Sequence, residues 1–463
     1  MIDFDIRYSW AQVLTLHYSC FIFLLYWCYK VLRKSKGNSL LAIFSIGLSL
    51  QVGLLYFMLP DAVELLHKDV RMPNIIIMGV AFSIYYVISS IGLIYEYNRF
   101  NYESKERSEG RFIGRYKFEI NRRALKVVSV VSVLFIAYKL SLASSKAVLS
   151  QGLSALGSDE YSALRVNLTK IGQEDPTSGL VNMLQTVAFG IILMSFLWLI
   201  FFNIKMTSKY KTSNKRYIIL FGFILLLVAF LRFEKAPIII LVLCIIYAYN
   251  SKLLKIKFTF KNVSFGIVIF AFLNFLGVYI ISLTQGIAYQ ESLYFLYSRF
   301  FLIPTVTSAM HFEVYPHIYS FVYYTHIGLI RGLFSVPSGV HTGDIAIDVA
   351  QAMTGLYYHA NACAVASGWA EAGYIGVIFT SFLICILFYQ IDRYTFKKVP
   401  RIMIVPLLQY YFYWFVYYGN SALENVIIAS SVWLIPFIYL KFIKIYRVNT
   451  VTNNKQELNN IDV

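Results

Sequence analysis

The sequence predicts an all-α membrane protein that crosses the bilayer many times, and three observations lead to that prediction. Hydrophobic residues make up 58% of the chain and charged residues only 14%, whereas a soluble domain has about 45–50% apolar and about 25% charged residues. The apolar residues are gathered in long runs. The Lys and Arg residues stand mainly between those runs, as is typical of membrane proteins.

Eleven apolar runs are candidates to cross about 30 Å of hydrocarbon, which takes about 20 helical residues. They lie at residues 10–30, 39–60, 73–96, 125–143, 181–204, 217–231, 236–250, 263–285, 372–391, 402–419 and 427–443. The runs 217–231 and 236–250 are short and joined by a tight charged turn, so buried half-helices are the alternative for that pair.

The distribution of basic residues predicts the orientation of these spans. If the loop from Lys30 to Lys36 is cytoplasmic and the spans alternate from there, 30 of the 41 Lys and Arg residues fall on the cytoplasmic side. Cytoplasmic loops of membrane proteins carry such an excess. We therefore expect a multi-pass membrane protein with its N-terminus on the outer side and its C-terminus in the cytoplasm. The net charge of +17 then follows from topology and does not indicate a nucleic-acid partner.

The span pattern divides the chain into four regions. Residues 1–285 form a first transmembrane bundle of about eight spans, 286–371 a large outer (periplasmic) loop, 372–447 the last three spans, and 448–463 a polar cytoplasmic tail that we expect to be disordered. Within the large loop, residues 292–310 and 317–330 are apolar and aromatic. We predict short helices there that lie at the interface or dip into the membrane.

A few basic residues fall on the outer side, against the general charge bias. Arg232 and Lys235 lie in LRFEKAP, a turn that holds them near the outer surface. Arg299, Arg331 and Arg165 lie in the two long outer segments. A cationic cluster at that depth suits an anion such as the diphosphate of a lipid carrier, since the guanidinium fork matches phosphate oxygens. The alternative is that each side chain only reaches lipid head groups.

Five of the seven histidines lie between positions 311 and 359, at spacings that match no standard zinc pattern. The sequence therefore predicts no metal site. A neutral imidazole can act as a general base, although interfacial hydrogen bonding is the alternative for most of these histidines. His359 has a distinct context, because Asn361 and a run of small residues lead to Glu371 at the entrance of a span. A carboxylate there needs a partner or water.

The segment from His359 to Gly376 resembles the end of the large periplasmic loop in the O-antigen ligase and polymerase superfamily. Members often show a His-x-Asn pair and then an Ala-Glu-x-Gly-x-x-Gly motif, here AEAGYIG, that leads into a late span. LRFEKAP resembles their basic periplasmic turn, and SRFFLIPTVTSAMHFEVYP resembles the start of their large loop. The ligase branch typically has a second His after the first, where this chain has Ala360, so the resemblance favours the polymerase branch.

The resemblance implies a membrane glycosyltransferase of the bacterial inner membrane, whose outer side faces the periplasm. It would polymerise oligosaccharide repeat units carried on undecaprenyl diphosphate into O-antigen, capsule or exopolysaccharide. The resemblance implies no cofactor, and as partners it implies the lipid-linked oligosaccharide, membrane lipids, a chain-length regulator and a flippase. The implied diphosphate-binding residues are Arg232, Lys235, Arg299 and Arg331. The implied base is His359 or, failing that, a carboxylate; Asn361 and Arg165 are secondary candidates, and the candidate carboxylates are Glu371, Glu313 and Asp344.

Three other functions fit parts of the same pattern. The ligase branch uses the same donor, and a lipid-linked sugar transferase of the GT-C kind would place acidic residues in the first outer loop. Asp61, Glu64 and Asp69 lie there, at a spacing that is ordinary for a solvated turn. A flippase or transporter for the lipid-linked oligosaccharide would need charges in the middle of its spans, and apart from Lys139 the predicted spans are nearly free of charge.

Overall fold

Apolar runs fold into helices in a bilayer, because lipid offers no partner for backbone N–H and C=O groups and a helix pairs them within its own segment. The computed structural model describes residues 10–35, 39–53, 72–106, 115–120, 122–155, 179–205, 211–231, 303–323, 345–355, 362–398, 406–411, 443–448 and 459–460. It also describes single residues at positions 241, 242, 245, 275, 279, 290, 291, 294, 360, 413 and 414.

Ten helices of ten or more residues and three short strands are described. The helices are α1 (Trp10–Ser35), α2 (Leu40–Gly53), α3 (Met72–Glu106), α4 (Arg122–Ser141), α5 (Ala143–Ala155), α6 (Gly179–Lys205), α7 (Lys211–Leu231), α8 (Ile303–Val314), α9 (Ile345–Thr354) and α10 (Ala364–Lys398). The strands are β1 (Arg115–Ile120), β2 (Ile443–Val448) and β3 (Asn459–Asn460).

Five of the described helices contain a stretch long and apolar enough to cross a membrane. The stretches are Ala11–Ser35, Pro73–Arg99, Arg123–Ser141, Leu184–Phe201 and Ala364–Tyr394. They overlap the predicted spans at 10–30, 73–96, 125–143, 181–204 and 372–391, so the prediction of an all-α membrane protein is confirmed in that coarser form. Helices α2 and α7 overlap the predicted spans at 39–60 and 217–231, and most of 236–250, 263–285, 402–419 and 427–443 lies outside the described residues.

The helices pack in two sets. Helix α3 packs against α1 and α10, with α2 and α8 beside them, and α4 packs against α6 and α7. The largest fully buried side chains are aromatic, among them Tyr85, Tyr86 and Phe82 on α3 and Trp198 on α6. Aromatic burial on α3 marks it as the central helix of the first set, and both ends of that helix carry buried polar residues.

A small antiparallel sheet accompanies the helices, and the sequence did not predict it. Strand β2 pairs with β1, with Arg115 opposite Val448, and it pairs with β3 on its other edge. β1 and β2 belong to two basic segments that the charge pattern assigns to the cytoplasm, so the sheet joins segments expected on the same side. Part of the predicted disordered tail, Val448 and Asn459–Asn460, is in this sheet; the rest of 448–463 lies outside the described residues.

Helix α10 bends sharply near its start. Ala372 and Gly373 leave helical geometry, with φ +61° at Gly373. A Cβ placed at Gly368 would lie 3.0 Å from the carbonyl oxygen of Gly376, yet in a straight helix those residues are about 12 Å apart along the axis. The chain therefore folds back at the bend, and small residues allow the close contact. The stretch from 374 to 394 that follows is about 31 Å long, enough to cross a bilayer.

Candidate functional site

The first part of the site is α8, a short helix enclosed by protein. Every residue from Thr305 to Val314 is buried, and α8 packs against α3, α9, α10 and α2. At about 18 Å it is too short to cross the hydrocarbon. Residues 292–310 were expected at the interface or dipping into the membrane, and the part from Thr305 to Met310 is buried inside the bundle. The buried polar side chains of α8 are Thr305, Thr307, Ser308, His311 and Glu313.

Most of these polar groups bond to the backbone of their own helix. Thr307 Oγ1 donates to the carbonyl of Ile303 at 2.8 Å, and Ser308 Oγ donates to the carbonyl of Pro304 at 2.7 Å. His311 Nδ1 lies 2.7 Å from the carbonyl oxygen of Thr307. Because a carbonyl only accepts, Nδ1 of His311 carries the proton. Buried polar groups in apolar surroundings need such partners, and these bonds are local.

Glu313 differs from them, because its hydrogen bond reaches another helix. Asn74 in the first turn of α3 donates from Nδ2 to Glu313 Oε2 at 2.5 Å. The same amide places Oδ1 3.1 Å from Nε2 of His317. Asn74 and Glu313 are buried, with 3% and 6% of their surfaces exposed, whereas His317 is exposed. The result is a chain of three side chains from a buried carboxylate to an accessible imidazole, which we call the outer cluster.

The segment after α8, residues 315–323, packs against the bend in α10. Trp369 Nε1 donates to the carbonyl of Tyr315 at 2.8 Å, and the Trp369 ring stacks on Phe312 with 4.9 Å between centroids. The backbone N–H of Tyr323 donates to the carbonyl of Glu371 at 2.8 Å. These contacts hold the His317 segment in place from both sides. They also bring the residues around the bend of α10 into contact with the His317 segment.

Of the residues that the sequence singled out, Glu313 and Glu371 are described. Both are buried, and each lies two residues from one partner of the Tyr315–Trp369 hydrogen bond. Glu371 is buried at the bend, 3% exposed, directly before the stretch from 374 to 394 that is long enough to cross a bilayer. The other predicted site residues lie outside the described residues, and their roles stay predictions: Arg232, Lys235, Arg299, Arg331, Arg165, Asp344, His359 and Asn361.

Asn74 was not among the sequence candidates, and for His317 the sequence left both a general base and an interfacial histidine open. The signal that would have found them is weak, because the hydrogen bond between Asn74 and Glu313 joins positions 239 residues apart. An amide at the outer end of an apolar span is the only local sign. Its partners come from the large outer segment, and nothing in the spacing of the sequence brings the two together.

A second polar cluster lies at the other end of α3, and we call it the inner cluster. Ser39 Oγ is 3.0 Å from Glu96 Oε2 and 3.3 Å from Asp392 Oδ2. Arg99 Nη2 is 3.6 Å from Glu96 Oε1, and its guanidinium lies 5.1 Å from the centroid of the Tyr389 ring. Ser39, Glu96 and Asp392 are fully buried. Two carboxylates thus share one hydroxyl and one cation.

The inner cluster also caps the N-terminus of α2. The backbone N–H of Leu40 lies 2.9 Å from Asp392 Oδ2, and that of Leu41 lies 3.3 Å from the same oxygen. Ser39 Oγ accepts from the N–H of Ala42 at 3.2 Å. The first N–H groups of a helix have no partner within it, and Ser is a preferred residue at the N-cap position. Asp392, 352 residues away from Leu40, supplies the remaining acceptors.

The two clusters lie about one bilayer apart. Asn74 and Glu96 are both on α3, and the roughly 22 residues of helix between them span about 33 Å, close to the thickness of the hydrocarbon core. The inner cluster joins the ends of three segments that the charge pattern assigns to the cytoplasm. The outer cluster then faces the opposite side. Which side is the cytoplasm stays a prediction from charge.

The described residues define a polytopic helical membrane protein whose central helix has a closed polar cluster at one end and an accessible one at the other. Within those residues, no group of three His, Cys, Asp or Glu side chains is placed to hold a metal ion. Comparisons of the chain with protein-family models, with curated proteins and with solved structures find no significant match.

Proposed function

We propose that this chain is a membrane glycosyltransferase that joins lipid-linked oligosaccharide repeat units into a surface polysaccharide. The donor is a growing chain on undecaprenyl diphosphate, and the acceptor is a new repeat unit on the same kind of carrier. The reaction takes place at the periplasmic face of the bacterial inner membrane. The proposal combines the motif resemblance around AEAGYIG and LRFEKAP with the polar site at the predicted outer end.

The observation that carries the proposal is the outer cluster. A buried carboxylate, an amide and an accessible imidazole are joined across α3 and α8 at one end of the bundle. Proton transfer from a sugar hydroxyl needs an accessible base whose orientation is fixed by its neighbours. A transport function would favour charges in the middle of the spans, whereas the described acidic residues on α3 and α10 lie towards their ends.

The chemistry needs a second group in addition to the outer cluster. As the new glycosidic bond forms, negative charge develops on the departing diphosphate, and fixed cations lower the barrier by stabilising that charge. Arg232, Lys235, Arg299 and Arg331 are proposed for this role because they stand on the predicted outer side, against the charge bias. The diphosphate leaving group supplies the energy, so neither ATP nor a nucleotide sugar is required.

The proposal is tested by deleting the gene in its own bacterium and examining the surface polysaccharide on gels. The deletion strain is complemented with the wild type, with Arg232→Ala and with Lys146→Ala as the matched control. Lys146 is an exposed outward cation without a proposed role. We expect Arg232→Ala to lower the amount of polymer about 100-fold at normal membrane abundance, which is typical for the loss of one charge-stabilising group.

Each phenotype of the deletion strain discriminates between functions. A single repeat unit on its anchor with no ladder supports a polymerase. Long polymer that stays on its lipid carrier identifies a ligase. If no repeat unit reaches the outer face, the chain is a flippase or an earlier lipid-linked sugar transferase, and the proposal is wrong.

A further inference from the structure

The hydrogen bonds of the outer cluster fix which nitrogen of His317 carries the proton. A carboxylate oxygen only accepts, so the Nδ2 amide group of Asn74 faces Glu313 and donates to it. The other end of the same amide, Oδ1, also only accepts, and it lies 3.1 Å from Nε2 of His317. Nε2 of the neutral ring is therefore the N–H, and Nδ1 has the lone pair.

The lone pair of His317 is on the side of the ring that faces away from Asn74. His317 is exposed, and within the described part of the chain Nδ1 has no hydrogen-bond partner. Asn74, by contrast, is buried and cannot rotate its amide without breaking its bond to Glu313. A buried acid orients an amide, and the amide orients an imidazole, so the ring presents a proton acceptor in one fixed direction.

We propose that His317 is the general base of the transfer reaction and that Asn74 and Glu313 are positioning residues that hold its ring. This assignment rests on the proposed function. It replaces His359 as the base. Catalytic bases are commonly oriented by a third side chain. Here the orienting acid is Glu313, and the amide of Asn74 lies between it and the imidazole.

The step is balanced in protons and electrons. The hydroxyl of the acceptor sugar gives its proton to Nδ1 of His317, and its oxygen forms the bond to the anomeric carbon of the donor. The bond from that carbon to the diphosphate oxygen breaks, and the leaving undecaprenyl diphosphate takes the electron pair. Imidazolium forms with both ring nitrogens protonated, and Nε2–H continues to donate to Asn74. The carboxylate of Glu313, one amide away, stabilises the positive ring. Water then accepts the extra proton.

The test uses membranes that contain the full chain, with lipid-linked repeat unit extracted from the deletion strain as the probe. The rate of polymer formation is measured on gels for the wild type, His317→Gln, His317→Gly and Ser320→Ala. Glutamine keeps an N–H that can donate to Asn74 and lacks a base, so we expect at least a 100-fold lower rate, within the range of about 100-fold to 10,000-fold that general bases contribute. Ser320, exposed on the same segment, is the control, and its variant should match the wild type.

Added imidazole separates a missing base from a damaged fold. In His317→Gly membranes, imidazole should raise the rate at least tenfold, because a free base can occupy the vacated position. The same addition should leave Ser320→Ala unchanged. If His317→Gly has lost its folded structure, it will show low abundance and no response to imidazole. In that case the rate of His317→Gln, which keeps the hydrogen bond to Asn74, decides whether His317 is the base.

A double-mutant cycle tests the positioning role of Asn74. Asn74→Ala alone should lower the rate about tenfold, since the ring loses its fixed orientation. In the His317→Gln background the same change should have almost no further effect, because residues that act as a unit are not additive. A purely structural role of Asn74 would lower the rate by the same factor in both backgrounds, and that result would overturn the positioning assignment.

The outcomes also separate this assignment from the proposed function. If wild-type membranes make no polymer from the extracted repeat unit, the proposed function fails and the base assignment falls with it. If the wild type is active and His317→Gln retains more than a tenth of its rate, the proposed function stands and His317 is not the base. A His359→Gln variant that loses all activity in that second case would return the role to His359.

Discussion

The two ends of α3 carry similar polar groups in different surroundings. At the inner end, Glu96 belongs to a cluster whose carboxylates and hydroxyl are fully buried and whose contacts include the first turn of α2. At the outer end, Asn74 belongs to a cluster that ends on an exposed imidazole. A closed cluster can stabilise the fold and cannot meet a substrate, whereas an accessible one can do both. We therefore expect mutations at the inner end to lower stability and mutations at the outer end to lower activity.

The largest loss of stability is expected for Asp392→Ala. The substitution leaves the buried N–H groups of Leu40 and Leu41 without their acceptor, and each orphaned group costs about 1–3 kcal/mol. We expect the free energy of unfolding to fall by about 3 kcal/mol, seen as a lower midpoint of thermal unfolding in detergent and lower membrane abundance. Asp392→Asn keeps one acceptor oxygen and should lose about half as much.

The matched control for the inner end is Glu291→Ala. Glu291 is an exposed acid, and exposed substitutions away from special features usually change stability by about 0.5 kcal/mol or less. If Asp392→Ala unfolds at the same temperature as Glu291→Ala, the cap does not stabilise α2, and the structural interpretation of the inner cluster is wrong.

A second large loss is expected at the bend of α10. A Cβ at Gly376 would collide with the carbonyl oxygen of Gly368, and backbone cannot move aside as a flexible side chain can. We expect Gly376→Ala to cost about 2 kcal/mol, within the range for overpacking, and to displace the residues beside the outer cluster. Gly92→Ala is the control, because its added methyl would meet Leu41 and Cys385 at ordinary contact distances of 3.4 and 3.5 Å.

The bend in α10 separates what the sequence could predict about this helix from what it could not. Composition and charge were sufficient for the class of protein and for the position of α10, because a bilayer imposes length and apolarity on any spanning helix. The AEAGYIG motif, which the resemblance singles out, covers the residues at the bend. That Gly376 meets Gly368, which folds the helix back and buries Glu371, follows from a positive φ at Gly373. Nothing in the residues before or after it determines that angle.

Sequence patterns could not predict the two polar clusters, for a different reason. Asn74 meets Glu313, and Ser39 meets Asp392, across separations of 239 and 353 residues. Periodicity and motif spacing report on neighbours within a few turns, so they identify which residues are polar and not which of them meet. The burial of α8 is a related case, because its apolar and polar composition suits an interfacial helix equally well until the surrounding helices are known.

The outer end provides the contrasting prediction. Asn74→Ala should cost about 1 kcal/mol of stability, the lower end of the range for a buried group that loses a partner, because His317 can turn to water and Glu313 keeps a further interaction. Polymer formation should fall about tenfold in the same variant. The unfolding midpoint and the rate of polymer formation are both measured for Asn74→Ala and for Asp392→Ala. A stability loss at Asn74 as large as that at Asp392 would remove the distinction between the two ends.

The smallest expected effect has the opposite sign and lies on α2, between the two ends. Gly47 is exposed in the middle of that helix, and a Cβ there meets no described atom within 4 Å. Alanine is favoured over glycine in a helix by about 0.5–1 kcal/mol, so Gly47→Ala should raise the unfolding midpoint slightly and leave polymer formation unchanged. Gly92→Ala, on a packed face of α3, serves as the comparison. A lower midpoint for Gly47→Ala would mean that this face of α2 is a helix contact and does not meet lipid, because small residues mark such contacts.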